Sequence, residues 1–559
     1  MTYDPDRKVF IGETEKRGEV IRFGIREEDR SRHIYVIGQT GTGKSTFLEM
    51  LAMQDMENGE GLIFMDPHGQ SVDSLLEYVT PNSLDRVIYF APHLQDRPIG
   101  LNIMEDVGYD HRHHVVSSLM ASFEKIWGET SWSDRMAYIL QNTLLALLEY
   151  PGTTLLDVGR MYSSKDFRTK VVENVKDPQV RRYWVDEYAN YSERYVQDAT
   201  PAIQNKLGQF TSNPLMRNII GQKKSAFNFR QVMDEGKVLL VNLSKGRIGD
   251  NNARMLGILF TTKIYLSALS RSDLSPQQLD ATPACNFYVD EFQSFANSTF
   301  SSILSEARKY KLNLILAHQY IGQIYSGDSG DGNAIRDAVF GNVGTFISFR
   351  VGPVDAEVIA KQFAPAVTEE DLVALPRFHM FLTLNIGGAG STPFSARTYM
   401  KPAPPPVSIA DQVIKQSMQQ YGVDREEIED QVRKNIEQDW KEKKEKPGGR
   451  GAFKKPGQKG KAPQRGVTKA VRDALGGRER RDDRADKQKP DQKQQRSDDR
   501  KEDASELRNS IQEAKMSGMP KPLQVPKKEE EKEAPPIRYE DGWVSLGDLQ
   551  EEDRSKESV

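Results

Sequence analysis

Residues 33–56 read HIYVIGQTGTGKSTFLEMLAMQDM. An apolar run, HIYVIG, leads into Gly38-Gln39-Thr40-Gly41-Thr42-Gly43-Lys44-Ser45, and a helical stretch follows. The loop fits G-x-x-x-x-G-K-[ST] at every defined position and sits between a strand and a helix, the context that pattern requires. Gly38, Gly41 and Gly43 let backbone N–H groups close around phosphates, and the helix N-terminus adds positive potential. Thr40 and Thr42 complete the cradle. Lys44 is expected to reach the β- and γ-phosphates, the Ser45 hydroxyl to ligate Mg²⁺, and Thr46 to lie near the α-phosphate. A chance glycine-rich turn lacks such flanks, so the expected ligands are ATP and Mg²⁺.

A phosphate loop needs a second, acidic element for the metal and the attacking water. NFYVDE, residues 286–291, is an apolar strand ending in two acids. Asp290 is expected to hold Mg²⁺ and Glu291 to orient or deprotonate the water. Alone, such a pair reads equally well as an acidic helix cap; the phosphate loop tips the reading toward the site. LNLILAH, 312–318, is followed by Gln319, placed to sense the γ-phosphate at the end of a strand. Arg308, upstream in SEARKYKL, reads from spacing alone as a surface ion pair. Arg350, at the end of TFISFR, sits comparably, and spacing does not rank the two.

Outward from these motifs, the chain divides. Hydrophobic residues are 37% and charged residues 28% of the 559 positions, an average that hides two unlike parts. Up to about residue 403, apolar runs alternate with helical stretches: GLIFMD at 61–66, RVIYFAP at 86–92, KVLLVNL at 237–243 and TFISFR at 345–350 join those above. Such alternation predicts a mostly parallel sheet with helices on both faces, an α/β fold of RecA type. Residues 104–232 carry few strand runs. In RMAYILQNTLLALLEY, Met136, Ile139, Leu140, Leu144, Leu147 and Leu148 follow helical spacing until Pro151-Gly152. The expected division is a first ATPase segment at 1–103 with a short N-terminal β segment, an inserted all-α domain at 104–232, and a second ATPase segment at 233–403. Residues 404–559 are expected to form a largely disordered charged tail with one helix at 408–443, where Ile428, Val432, Ile436 and Trp440 share a face. Residues 448–466 are basic and rich in Gly and Pro, a linker or a holder of DNA phosphates; GWVSLGDL at 542–549 is a candidate docking peptide.

The net charge of −4 is too small to name a partner. The single cysteine, Cys285, excludes a disulfide framework. No signal pattern opens the chain and no run of about 18 apolar residues occurs; MLGILFTTKIYLSAL is short and interrupted by Lys263. His111, His113 and His114 lack the companions of a metal set, Trp127 and Trp132 read as packing, and Cys285, Asn286 and Ser305 show no nucleophile partner.

Taken together, FGIREEDRSRHIYVIGQTGTGKST, FMDPHG, FYVDEFQSF, SEARKYKLNLILAHQ and FGNVGTFISFRVGPVDAE resemble the HerA/FtsK superfamily of hexameric DNA-pumping ATPases. The resemblance runs over roughly residues 20–400 and is nearer to the coupling ATPases of type IV secretion and conjugation, the TraD/TraG-like branch. It implies a homo-hexameric ring that moves DNA, with Lys44, Ser45, Asp290 and Glu291 at the nucleotide, Gln319 as the glutamine after the sensor strand, and Arg308 as an arginine finger acting in trans. Asp66-Pro67-His68-Gly69 matches a motif near the nucleotide. The resemblance further implies cargo contacts with a secretion channel, a relaxase or other proteins through the all-α domain and the tail. Two departures stand out: the membrane-spanning helices that open typical coupling ATPases are missing, and the N-terminal β-barrel of HerA-type proteins is absent or reduced to residues 8–25. The expected place is the cytoplasm, with partners holding the chain at the inner face of the membrane. Alternatives are a soluble HerA-like motor for DNA processing and a secretion ATPase acting on protein substrates.

Overall fold

The computed structural model describes residues 6–105, 107–128, 131–296, 298–323 and 331–445. The basic stretch 448–466 and GWVSLGDL at 542–549 lie outside them. Among the described residues thirteen strands form: β1 (Lys8–Lys16), β2 (Glu19–Arg26), β3 (Ile34–Ile37), β4 (Gly61–Asp66), β5 (Val87–Phe90), β6 (Val238–Asn242), β7 (Cys285–Val289), β8 (Leu312–His318), β9 (Thr345–Ser348), β10 (His379–Thr383), β11 (Asn385–Ile386), β12 (Ala389–Gly390) and β13 (Phe394–Thr398). Eleven of them make one sheet in the order β2-β1-β13-β10-β9-β3-β8-β7-β4-β6-β5. From β9 to β5 every pairing is parallel; from β2 to β9 every pairing is antiparallel.

The parallel strands are buried on both faces, which is why they read as unbroken apolar runs. On one face, Val36, Phe64 and Tyr288 pack with Leu48 and Leu51 of the helix Lys44–Asn58 and with Val72 and Leu75 of Gln70–Leu76. On the other, Tyr35, Met65 and Val289 pack with the helix Asp250–Leu269 and with the helices that follow β5. Asp250–Leu269 is buried nearly all round, as a helix inside two layers must be. Lys263, which interrupts its apolar run, is buried in an ion pair with Glu105.

No strand forms among the described residues between β5 and β6. Helices fill that span, from Tyr109–Trp127 to Phe229–Asp234. Trp127 stacks on Phe123 at 4.6 Å and meets Trp132 at 5.6 Å, so the two tryptophans pack. No group of three or more potential metal ligands forms among the described residues, the histidines of Tyr109–Trp127 included. No helix among them is long and apolar enough to cross a membrane.

Two expectations are corrected. The single helix at 408–443 is two, Ala410–Tyr421 and Arg425–Glu445, parted at Gly422, which pairs with Ile99 in a β-bridge. The break near residue 403 also falls too early. Ala410–Tyr421 lies along β5, burying Val413, and Ser417 Oγ accepts the Tyr89 N–H at 3.0 Å. An edge strand leaves N–H groups unpaired; this helix covers the edge with few apolar side chains, so its composition resembles the charged tail beyond it. At the opposite edge, β1 and β2 form a hairpin through Arg17-Gly18, both at positive φ, as a two-residue turn demands. The N-terminal β segment is thus part of the main sheet.

Candidate nucleotide site

Parallel strands align their C-terminal ends, and ligands in open α/β sheets bind beyond those ends. Here that edge collects the glycine loop after β3, the Asp66-Pro67-His68-Gly69 turn after β4, Leu243-Ser244-Lys245 after β6, Asp290-Glu291 after β7, Gln319 after β8 and Phe349-Arg350 after β9. Of these, the glycine loop, the turn after β4, Asp290-Glu291 and Gln319 border a cavity of about 300 Å³, lined by Thr40, Lys44, Thr46, Asp290, Gln319 and Arg377, among others.

The loop is held from behind. Gln39 N–H donates to the Arg350 carbonyl at 2.8 Å, and Phe378 N–H donates to the Thr42 carbonyl at 2.8 Å. Gly43 has φ +125, and a Cβ there would meet the Phe378 ring at 2.9 Å. Gly38 and Thr42 stand behind the residues that line the cavity. A Cβ at Gly38 would stand 2.6 Å from Phe349 Cβ, and the buried Thr42 hydroxyl donates to the Gln39 carbonyl at 2.8 Å. Both shape the loop. Lys44 Nζ donates to the carbonyls of Gly38 at 2.5 Å and Gln39 at 3.1 Å. Burial lowers its pKa, and Asp290 and Glu291 pull the other way.

Ser45 Oγ donates to Asp290 Oδ2 at 3.0 Å. Burial, with the charge of Asp66 beside it, pushes Asp290 up to about 6. A hydroxyl and a carboxylate meeting at a cavity wall are hard oxygen donors, the set that suits Mg²⁺ sharing its remaining positions with water and phosphate. No denser ligand cluster is needed, and none forms among the described residues. Ser45 and Asp290 therefore fit the ion the motif implies.

Glu291 adopts φ 48. Its Oε1 accepts Gln319 Nε2 at 2.5 Å and lies 3.0 Å from His68 Nε2; Oε2 lies 3.5 Å from Lys245 Nζ. Burial raises its pKa, but the bond to His68 and the charges of His68 and Lys245 outweigh that and hold it below the usual value.

Lys44, Ser45, Thr46, Thr40, Gly41, Gly43, Asp290, Glu291 and Gln319 thus meet at one cavity. Arg308 does not join them. It is exposed, ahead of β8, at the opposite edge of the sheet; seven residues of strand put it roughly 20 Å from that strand's far end. His68 was expected near the nucleotide by resemblance alone. Lys245, Arg377 and Phe378 carried no sequence signal, because topology and not spacing delivers them.

Residues 9–257 match the family model described as the central domain of helicase HerA. That span holds the glycine loop, the Asp66–Gly69 turn and Lys245, and ends before Asp290. No curated protein matches the chain in sequence. Among solved structures, the plasmid coupling protein TrwB in complex with ADP and Mg²⁺ is 15% identical, covering 68% of this chain and 88% of its own, with a TM-score of 0.49. VirB4 of Thermoanaerobacter pseudethanolicus is 13% identical, covering 71% and 96%, with a TM-score of 0.46. Likenesses this distant carry nothing about activity. Residues 9–257, a little under half of the chain, are thus similar to the central domain of HerA-type helicases.

Proposed function

We propose that this protein hydrolyses ATP at the cavity beside Lys44 and uses the turnover to drive DNA through a ring of six copies. The observation that carries the reading is the meeting of Ser45, Asp290, Glu291 and Gln319 from separate loops beside one glycine loop. In this reading Lys44 exchanges its loop carbonyls for the β- and γ-phosphate oxygens. Ser45 and Asp290 would hold Mg²⁺, which would supply positive charge to offset that of the phosphates. Glu291 aligns the attacking water and takes its proton, while the Gln319 amide turns to the γ-phosphate. Arg308, too far from its own cavity to act there, completes the site of the neighbouring copy.

DNA phosphates supply most of the grip, so binding falls steeply with salt. We assign the motor to delivery of DNA or a protein–DNA cargo to a type IV secretion or conjugation channel. The helices between β5 and β6 recruit the channel or a relaxase and keep this cytoplasmic motor beside the membrane. The match to a helicase model favours a second reading, a HerA-like motor for DNA processing.

The test is the ATPase rate of the wild type and Lys44→Ala, without DNA and with single- or double-stranded DNA. The expected result is several-fold stimulation by one strand type and loss of hydrolysis in Lys44→Ala. Hydrolysis indifferent to both DNAs sinks the DNA motor and leaves an ATPase acting on protein substrates.

A further inference from the structure

Glu291 is approached by side chains from three other loops. Gln319 comes from the end of β8, His68 from the end of β4 and Lys245 from the end of β6. A carboxylate offers about four lone-pair sites; three engaged leave one for a water. Glu291 stands in the left-handed region at φ 48, which a residue other than glycine keeps only when its surroundings hold it there.

His68 and Lys245 are built as one piece. Leu243 N–H donates to the Asp66 carbonyl at 3.0 Å, and Lys245 N–H donates to the Pro67 carbonyl at 2.7 Å. The buried Asp66 carboxylate ties the turn, accepting His68 N–H at 2.7 Å and Ser71 N–H at 2.8 Å. The turn also lies against β6: a Cβ at Gly69, where φ is +86, would stand 2.3 Å from Asn242 Oδ1. Only glycine permits that approach. The backbone therefore presents an imidazole and an ammonium together to Glu291, independently of Gln319.

We propose that His68 and Lys245 are positioning residues for Glu291, fixing its carboxylate toward the attacking water while Gln319 is given over to the γ-phosphate. This rests on the hydrolysis proposed above. Neither residue is asked to touch nucleotide, so each should act on turnover and leave affinity alone. His68 Nε2 contributes a directed donor and Lys245 a longer-range charge, so replacements that keep those features should keep the rate.

The experiment uses the full chain and compares His68→Ala, His68→Gln, Lys245→Ala and Lys245→Arg. It measures kcat and KM for ATP, the Kd of a non-hydrolysable ATP analogue, and the thermal midpoint. Misplacing a catalytic group costs up to about a hundredfold. We expect kcat to fall about tenfold in each alanine variant, with Kd within about twofold of wild type. His68→Gln and Lys245→Arg should recover most of the rate. Unchanged kcat in both alanine variants of an active wild type overturns the assignment and leaves the hydrolysis reading standing. A loss of Kd or thermal midpoint in step with kcat, unrescued by the conservative variants, overturns it as structural. An inactive wild type brings down the hydrolysis reading itself, and this inference with it.

Discussion

β7 brings charge to two places, and they differ in one respect. Beyond its C-terminal end, Asp290 and Glu291 face an open cavity with Lys44. Within the strand, Asn286 and Tyr288 turn to a closed network. There Arg30 pairs with Asp55 through both guanidinium ends, at 2.6 and 2.9 Å, and Asp55 also accepts Asn286 Nδ2 at 3.0 Å and Tyr288 Oη at 2.5 Å. Arg30 and Asp55 are fully buried. The closed cluster answers its charges from within; the open one leaves acids and a lysine against space that a charged ligand can fill. A buried pair broken on one side leaves an uncompensated charge, so one cluster should report on stability and the other on chemistry.

Asp55→Ala should break that comparison open most widely. Leaving Arg30 without its carboxylate should cost about 3–5 kcal/mol of unfolding free energy, read by denaturant titration. A variant as stable as the wild type would mean the network is not a structural tie. Glu291→Gln should do the reverse. With Glu291 handling the water's proton as proposed, its loss is worth on the order of a hundredfold or more in rate, with stability and analogue binding kept. A Glu291→Gln protein that hydrolyses at the wild-type rate would remove the acid from the mechanism.

A smaller effect belongs to His33, the buried residue just before β3. Leu314 N–H donates to its Nδ1 at 3.1 Å, so Nε2 carries the proton and donates to the Leu304 carbonyl at 3.2 Å. Burial drives its pKa down to about 4, from an ordinary 6.5, with the bond to Leu304 opposing and the charge of Arg308 assisting. The unfolded chain therefore takes up this proton before the folded one does. The stability His33 contributes is full above the unfolded value and is lost as pH falls toward the folded one. Between about pH 7 and about pH 5.5 the loss amounts to about 1 kcal/mol. His33→Gln should lose that much less over the same range; an unchanged pH slope would place the acid sensitivity elsewhere.

Strands β3 to β9 were legible because a parallel strand buried on both faces has few polar positions to blur it. β10 and β13 were not read. Their side chains alternate between buried and partly exposed, and in HMFLT and FSART that leaves little apolar signal. Lys44 and Ser45 could be read because one contiguous motif holds them. Asp290 needed that motif to be told from a helix cap. Lys245 reaches Glu291, and Arg377 the cavity, from distant parts of the chain, and no local pattern marks them. The helix Ala410–Tyr421 was expected, but its packing on β5 was not, for a compositional reason: its apolar stripe is narrow and its remaining residues match the polar tail.

The helices between β5 and β6 occupy a position with its own logic. β5 and β6 are parallel neighbours, so the chain must return from the top of one to the bottom of the next. A crossover of roughly a dozen residues suffices for that. The whole helical region is an overgrown crossover, entered and left at fixed points on the sheet's last two strands. It is therefore an exchangeable part: it can be enlarged, replaced or trimmed while the order of the strands that set Lys44 against Glu291 stays the same.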